Sequence, residues 1–364
     1  MKVGILTFHR VGNYGAVLQA YALSKTFEKM GAKTELIDYE NLELHKQYKA
    51  INFSGKNNIK DLLNSIFAFR KNLVRNYRFR GFRENYLNLS EKNYNEENLP
   101  NGKEYDLVVA GSDQVWSFLC NNNDTHYFLD MIDISVPCIS YAASMAQVDL
   151  TEEEKEKYST LLKRFEYISV REKEAADLLQ PLVNKEIYVS PDPSFLLTKE
   201  EWCKLAETPK EEDYIFVFTV AKPDAVMEKA QELSKRTGYK LVCLNMGSIK
   251  YEHRFGSVFP VSPAKWLGYI KNAKYIITDS FHGTAFSIVF EKNFTSLIKA
   301  DAGKNSRISN LLETLNLTQC GINPQETIEY KDIDYRQVND KVDEFRLRGI
   351  NFIENMTKRF AVKK

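Results

Sequence analysis

Apolar residues along the chain fall into two alternating series, and the same punctuation recurs in each. Val3-Gly4-Ile5-Leu6-Thr7-Phe8 is a short continuous apolar run, the pattern of a strand buried on both faces. Gly12-Asn13-Tyr14-Gly15 carries turn chemistry. From Ala16 to Met30, Val17, Ala20, Tyr21, Leu23 and Phe27 recur at helical spacing, and Gly31 is placed to cap the end. Lys33 to Tyr39 then alternates as a second strand. This β-α-β opening predicts a parallel sheet with helices on its faces. The pattern weakens from Leu42 to Pro100, where Phe67 to Arg83 is rich in arginine and aromatic residues; it reads either as a solvated helix face or as a wall that meets an anionic substrate. Strands return at Tyr105–Ala110, Cys138–Ala142, Tyr167–Val170 and Ile187–Ser190, with helices from Thr151 to Arg164 and from Lys173 to Leu182.

Pro191-Asp192-Pro193 and the polar stretch Lys199 to Asp213 mark an interdomain crossing. A second series follows, with strands at Tyr214–Val220, Tyr239–Leu244, Tyr275–Thr278 and Phe294–Ile298. Helical patterns lie between them, notably Pro263–Ala273 and Gly283–Phe290. One or two amphipathic helices close the chain between Tyr335 and Phe360. The expected class is α/β, with two Rossmann-like β/α/β domains facing a cleft. The first spans residues 1–195 and the second 196–364, with the C-terminal helices packing back.

Composition narrows the class without changing it. The chain has 364 residues, 43% hydrophobic and 27% charged, which is a globular balance. Fifty Lys and Arg against 49 Asp and Glu give a net charge of +1, so no global basic field points to nucleic acid. No apolar run reaches the ~18–20 residues of a membrane span. Met1-Lys2 followed by Val3–Phe8 is too short for a secretory signal, so a cytoplasmic protein is expected. The five cysteines are scattered, never spaced as C-x-x-C, and are expected to be reduced. No H-E-x-x-H, D-x-D-x-D-G or clustered Cys/His pattern predicts a metal.

Ligands of open α/β sheets sit outside the carboxyl ends of strands, and this rule selects the candidates for chemistry. Asp279-Ser280-Phe281-His282-Gly283 follows a strand and opens a helix. The N–H groups of Gly283 and Thr284 are therefore expected to face an anion, with His282 able to donate to it or to move a proton. Arg171 follows another strand and either grips a carboxylate or phosphate bidentately or pairs with Glu172 or Glu174. Lys304, Asn305 and Arg307 lie after a strand and before a helix, either completing an anion pocket or forming a charged loop. Asn13 and Tyr14 sit in a close-approach turn that does not match the G-x-G-x-x-G spacing. Asp113 and Trp116 offer a carboxylate and an indole, suited to a sugar or, equally, to a cap and a core. His9 is open to either reading. His45, His126 and His253 have no partner at ligand spacing.

Over essentially its whole length the chain resembles the polysaccharide pyruvyl transferase family. The segments GILTFHRVGNYGAVLQAYAL, DLVVAGSDQVW, ISVREKEAADLL, SPDPSFLL and ITDSFHGTAFSIVF occur in the family's order. The resemblance implies a fold like that of two-domain GT-B glycosyltransferases. It also implies transfer of the pyruvyl group of phosphoenolpyruvate, a co-substrate rather than a cofactor, onto sugar hydroxyls of a cell-surface glycan as a ketal. It casts His282 as the acid/base and Arg171 as the residue that holds the donor. Gly283, Thr284 and the Lys304–Arg307 loop would complete the donor site. Asn13, Tyr14, Asp113 and Trp116 would face the glycan acceptor, whose lipid linkage the sequence leaves open, as it does work near the inner membrane face. Two other readings share the architecture: a nucleotide-sugar glycosyltransferase, against which the absence of an E-x7-E pair after His282 speaks, and a non-catalytic sugar- or phosphate-binding relative.

Overall fold

The computed structural model describes residues 1–41, 59–145, 147, 149–221, 223–245, 260–298 and 307–361. The chain divides into two units. One comprises Met1–Tyr48, Arg83–Leu197 and Asp343–Lys364; the other comprises Lys49–Phe82 and Thr198–Val342.

In the first unit, β1 (Lys2–Leu6) leads through α1 (Tyr14–Lys29) to β2 (Lys33–Tyr39). Asn13 caps α1, and Gly31 ends it at φ +85°, a left-handed turn that glycine adopts without strain. Helix α2 (Ile59–Tyr86), whose residues up to Phe82 belong to the second unit, precedes β3 (Leu89–Tyr94), a polar edge strand that the sequence pattern did not predict. Then come β4 (Leu107–Ala110), β5 (Cys138–Ser140), α3 (Glu152–Leu162), β6 (Ile168–Val170), α4 (Lys173–Leu179) and β7 (Ile187–Val189). A capping box fixes the start of α3, with Thr151 and Glu154 each accepting from the other's backbone N–H. All strand pairs are parallel, in the order β3-β2-β1-β4-β5. Bridges Ile139–Tyr167 and Ala143–Val170 carry the sheet on to β6, which pairs with β7. Parallel strands buried on both faces need continuous apolar runs, and β1 and β4 supply them.

The second unit opens with α5 (Lys199–Leu205), again fixed by a capping box, between Thr198 and Glu201. Its sheet is built from β8 (Tyr214–Thr219), α6 (Pro223–Thr237), β9 (Lys240–Asn245), α7 (Pro263–Asn272), β10 (Tyr275–Thr278), α8 (Phe281–Val289), β11 (Phe294–Leu297), α9 (Arg307–Thr314) and β12 (Gly321–Ile322). The order is β12-β11-β10-β8-β9, all parallel, which is the doubly wound arrangement of a flavodoxin-like sheet. Trp202 and Trp266 pack edge-on against Phe286 and tie α5 and α7 to α8.

A single helix, α10 (Arg336–Ala361), stands where one or two were expected. Its first residues belong to the second unit, where Asn339 donates to Glu291 at 3.1 Å. The remainder belongs to the first. There Arg346 donates to the Phe195 carbonyl at 2.9 Å, Phe352 packs on Tyr141 and Tyr188, and Gly349 lies against Tyr141, Leu196 and Pro191. A methyl group on Gly349 would stand 2.4 Å from the Tyr141 hydroxyl, so only glycine lets the helix approach this closely.

Candidate active site

In each sheet the strand order reverses once, and the carboxyl ends at that point are where a doubly wound fold leaves room for a ligand. In the first unit the reversal falls between β1 and β4. Thr7, just after β1, donates through Oγ1 to the Ser112 carbonyl at 2.8 Å and accepts from Gln19 Nε2 at 2.8 Å. Asp113 follows with φ +75°, its Oδ1 taking the N–H of Gln114 and its carbonyl the N–H of Ser144.

Beyond it lies a buried ionic cluster. Arg171, at the end of β6, has a side chain only 3% exposed. Its Nε donates to Glu172 Oε1 at 2.8 Å and its Nη1 to Asp192 Oδ2 at 2.9 Å. Asp192 also receives Ser112 Oγ, Ser194 N and Ser194 Oγ, while Glu172 Oε1 receives Ser144 Oγ. Burial works against the guanidinium charge, but Glu172, Asp192 and Asp113 outweigh it and raise the Arg171 pKa. One cation thus faces three carboxylates. Glu172 Oε2 and the Tyr141 hydroxyl are buried and take no hydrogen bond from any described residue. Burial first, then the Asp192 charge, pushes the Tyr141 phenol well above its ordinary range. Glu172, expected as one alternative partner of Arg171, is among the three carboxylates; Asp192 was not singled out from the sequence, although it follows a strand as its partners do.

Several expected acceptor residues have structural duties instead. The Trp116 side chain is fully buried, stacked on Phe128 at 5.2 Å and tilted against Phe165, with Nε1 donating to the Tyr127 carbonyl. An indole spent on the core offers no face to a sugar. Tyr14 is likewise fully buried, and Asn13 Oδ1 accepts from Gly15 N at 3.0 Å and Ala16 N at 3.4 Å as the cap of α1. His9 is buried beside Asp38: its Nδ1 meets the Thr7 carbonyl and its Nε2 meets Asp38 Oδ1, both at 2.9 Å. Arg10 grips the same carboxylate with two 2.6 Å bonds. Burial would raise the Asp38 pKa, but the hydrogen bonds from His9 and Arg10 prevail and hold it far below the usual range. His126 pairs with Asp130 at 2.8 Å.

In the second unit the reversal falls between β8 and β10. Asp279 spans it, its carboxylate taking Thr219 Oγ1, Val220 N and Ala221 N at 2.7–3.0 Å. Three residues on, in the first turn of α8, stands His282, 6% exposed, its ring edge-on to Phe281. The expected anion-facing amides are not available. Gly283 N donates to the Ser280 cap at 3.3 Å and Thr284 N to the Ser280 carbonyl at 2.9 Å. Thr284 Oγ1 bonds inside the protein to Ser280 O and Ser296. Gly283 is there for space, since a Cβ would sit 2.4 Å from Thr278 Oγ1. A cation is close by: the Arg307 guanidinium lies over the Phe281 ring, 6.0 Å from its centre. Lys304 and Asn305, with His45 and His253, lie outside the described residues. Arg171 and His282 belong to different units.

Among the described residues no group of His, Cys, Asp and Glu could hold a metal ion, and no helix is long and apolar enough to cross a membrane. The structure thus shows the expected fold class: two Rossmann-like α/β units of the GT-B kind, each with polar chemistry at its strand-order reversal. Similarity to solved structures agrees on the fold. The UDP-GlcNAc 2-epimerase of Methanocaldococcus jannaschii, solved with UDP-GlcNAc and UDP, matches with a TM-score of 0.51 at 13% identity, over 98% of this chain and 100% of that one. A putative UDP-N-acetylglucosamine 2-epimerase of Listeria monocytogenes matches with a TM-score of 0.52 at 11% identity, over 97% and 94%. No curated protein matches in sequence. The family model for polysaccharide pyruvyl transferase matches residues 13–298, and the chain belongs to that family.

Proposed function

We propose that the protein moves the pyruvyl group of phosphoenolpyruvate onto two hydroxyls of a glycan acceptor, as a cyclic ketal, in the assembly of a cell-surface polysaccharide. The reading is carried by His282, held in the first turn of α8 at the strand-order reversal of the second unit with the Arg307 guanidinium over the adjacent Phe281. The donor's methylene carbon must gain a proton, and an imidazole, which can both hold and give up a proton, is suited to deliver it. Protonation leaves a cation-like carbon that one acceptor hydroxyl attacks, giving up its own proton. The bond to the phosphate oxygen then breaks, phosphate departs, and the second hydroxyl closes the ring, its proton leaving with the phosphate. Each step is a proton transfer or an oxygen displacement, so the proposal calls on no metal or cofactor.

Arg171 enters this scheme as a positioning residue. With three carboxylates around it, its surroundings suit the hydroxyl donors of a sugar better than a donor carrying both carboxylate and phosphate. Asp113 and Glu172 Oε2 are then the acceptor-side groups, and His282 with Arg307 the donor-side groups. We place the reaction in the cytoplasm, where phosphoenolpyruvate is made. Calorimetry with phosphoenolpyruvate and with UDP-sugars separates this from the glycosyltransferase reading. Heat with phosphoenolpyruvate alone, and phosphate release with an acceptor glycan, are expected. Binding of a UDP-sugar and not of phosphoenolpyruvate would overturn the proposal.

A further inference from the structure

Helix α2 is arranged contrary to an ordinary surface helix. From Leu62 to Arg83 the chain has no Asp or Glu but six cations, Arg70, Lys71, Arg75, Arg78, Arg80 and Arg83, in a protein whose overall balance is +1. The described side chains divide into two faces. Lys71, Arg75, Phe79 and Phe82, spaced four, four and three apart, are buried and form the inner stripe. On the opposite face Phe69, Leu73 and Tyr77 recur every four residues at 42%, 51% and 74% exposure. Arg70 and Arg80 are exposed beside this row, while Arg78, about 140° round the helix from Leu73, is exposed at the edge of the inner stripe. A helix packed only on its own domain turns its large apolar groups inward. Here two of the cations lie inside while an apolar row about 12 Å long faces out.

From this geometry we infer that the Phe69–Leu73–Tyr77 face docks on an anionic lipid surface. An amphipathic helix lying in the plane of such a surface buries its apolar row at the boundary of headgroups and acyl chains and sets its cations among the phosphates. The charge pattern selects this occupant. A second copy of the chain laid on the same face would bring Arg70 and Arg80 against their own counterparts. A nucleic acid backbone would satisfy the arginines but offer nothing to Leu73. The inference does not rest on the reaction proposed above, since α2 takes no part in it.

The test uses the full chain in flotation with vesicles of phosphatidylcholine alone and of phosphatidylcholine with phosphatidylglycerol. Binding is expected only to the anionic vesicles, and it should fall away at about 1 M salt, where the screening length is ~3 Å. Arg70→Gln with Arg80→Gln should weaken it by about 30-fold, the combined effect of two cations at such a surface. Phe69→Ala with Leu73→Ala and Tyr77→Ala should weaken it at least ~10-fold, through lost apolar burial. Thermal unfolding checks that the variants fold; the arginine pair is solvent-facing and decides the question even if the triple variant does not fold. The inference is overturned if wild type ignores anionic vesicles, if it binds both kinds equally, or if the arginine variant binds as tightly as wild type. Sedimentation showing a dimer that Leu73→Glu dissociates would overturn it in favour of self-association.

Discussion

Replacing Arg171 by lysine tests whether this guanidinium organises a buried network or grips the donor. The side chain makes two charge-assisted bonds, to Glu172 at 2.8 Å and Asp192 at 2.9 Å, with almost no solvent access. A lysine carries one ammonium and no second donor at fixed spacing, so keeping Asp192 gives up Glu172. A hydrogen bond to a charged group is worth about 1.5–3 kcal/mol, and Arg171→Lys should lose that much stability. Arg171→Met keeps much of the side-chain bulk but leaves both carboxylates without a counter-ion, and breaking a buried pair in this way costs about 3–5 kcal/mol. Urea unfolding of the three proteins should therefore rank wild type above lysine above methionine. Calorimetry should find phosphoenolpyruvate affinity in the lysine variant within a few-fold of wild type. If lysine retains full stability and donor binding collapses, Arg171 is a donor ligand and the carboxylates around it need another explanation.

His282→Ala should unfold at the wild-type midpoint, yet turn over roughly 10²–10⁴-fold more slowly, the usual contribution of a positioned acid or base; near-normal turnover in a steady-state phosphate-release assay would place the proton donor elsewhere. Trp116→Ala should cost about 3–5 kcal/mol in urea unfolding, as for other large core truncations, so weakened acceptor use in a fully stable variant would restore it to a sugar site. Asp38 has a depressed carboxyl pKa in the folded protein, so its contribution to stability is present above the unfolded value near ~3.9 and is lost as the pH falls below it. The gap in urea midpoint between wild type and Asp38→Asn should accordingly be wide at pH 6 and narrow toward pH 3, and a constant gap would show that the charge of Asp38 is not what stabilises the fold.

The strands with continuous apolar runs were legible, because in a parallel sheet burial on both faces leaves little choice of residue; β1, β4, β8 and β10 fall where the pattern put them. β3 was not, since LSEKNY is an edge strand whose mostly polar residues carry little periodic signal. The strand-end rule found the right loops and could not tell which way their side chains turn. Trp116 and Asp113 follow the same strand, but the indole goes into the core while the carboxylate stays at the reversal. Asp192 was passed over because its flanking prolines read as a domain crossing, although the rule that chose Arg171 applies equally to the end of β7. The helix-start geometry around Ser280 was anticipated, yet the serine cap itself takes up the Gly283 amide meant for the ligand.

The last helix also sets an order on synthesis. The surfaces that α10 covers in the first unit, Tyr141, Tyr188, Phe195 and Leu196, leave the ribosome long before Gly349 and Phe352 exist to pack on them. At ~5–20 residues per second, translating from Leu197 to Gly349 takes on the order of 10–30 s. For that interval the first unit has its complete parallel sheet but an uncovered aromatic flank, while the second unit is being made. The N-terminal half of this protein is therefore finished last, and a nascent chain stalled before Asp343 would expose a sticky, nearly folded domain to chaperones and proteases.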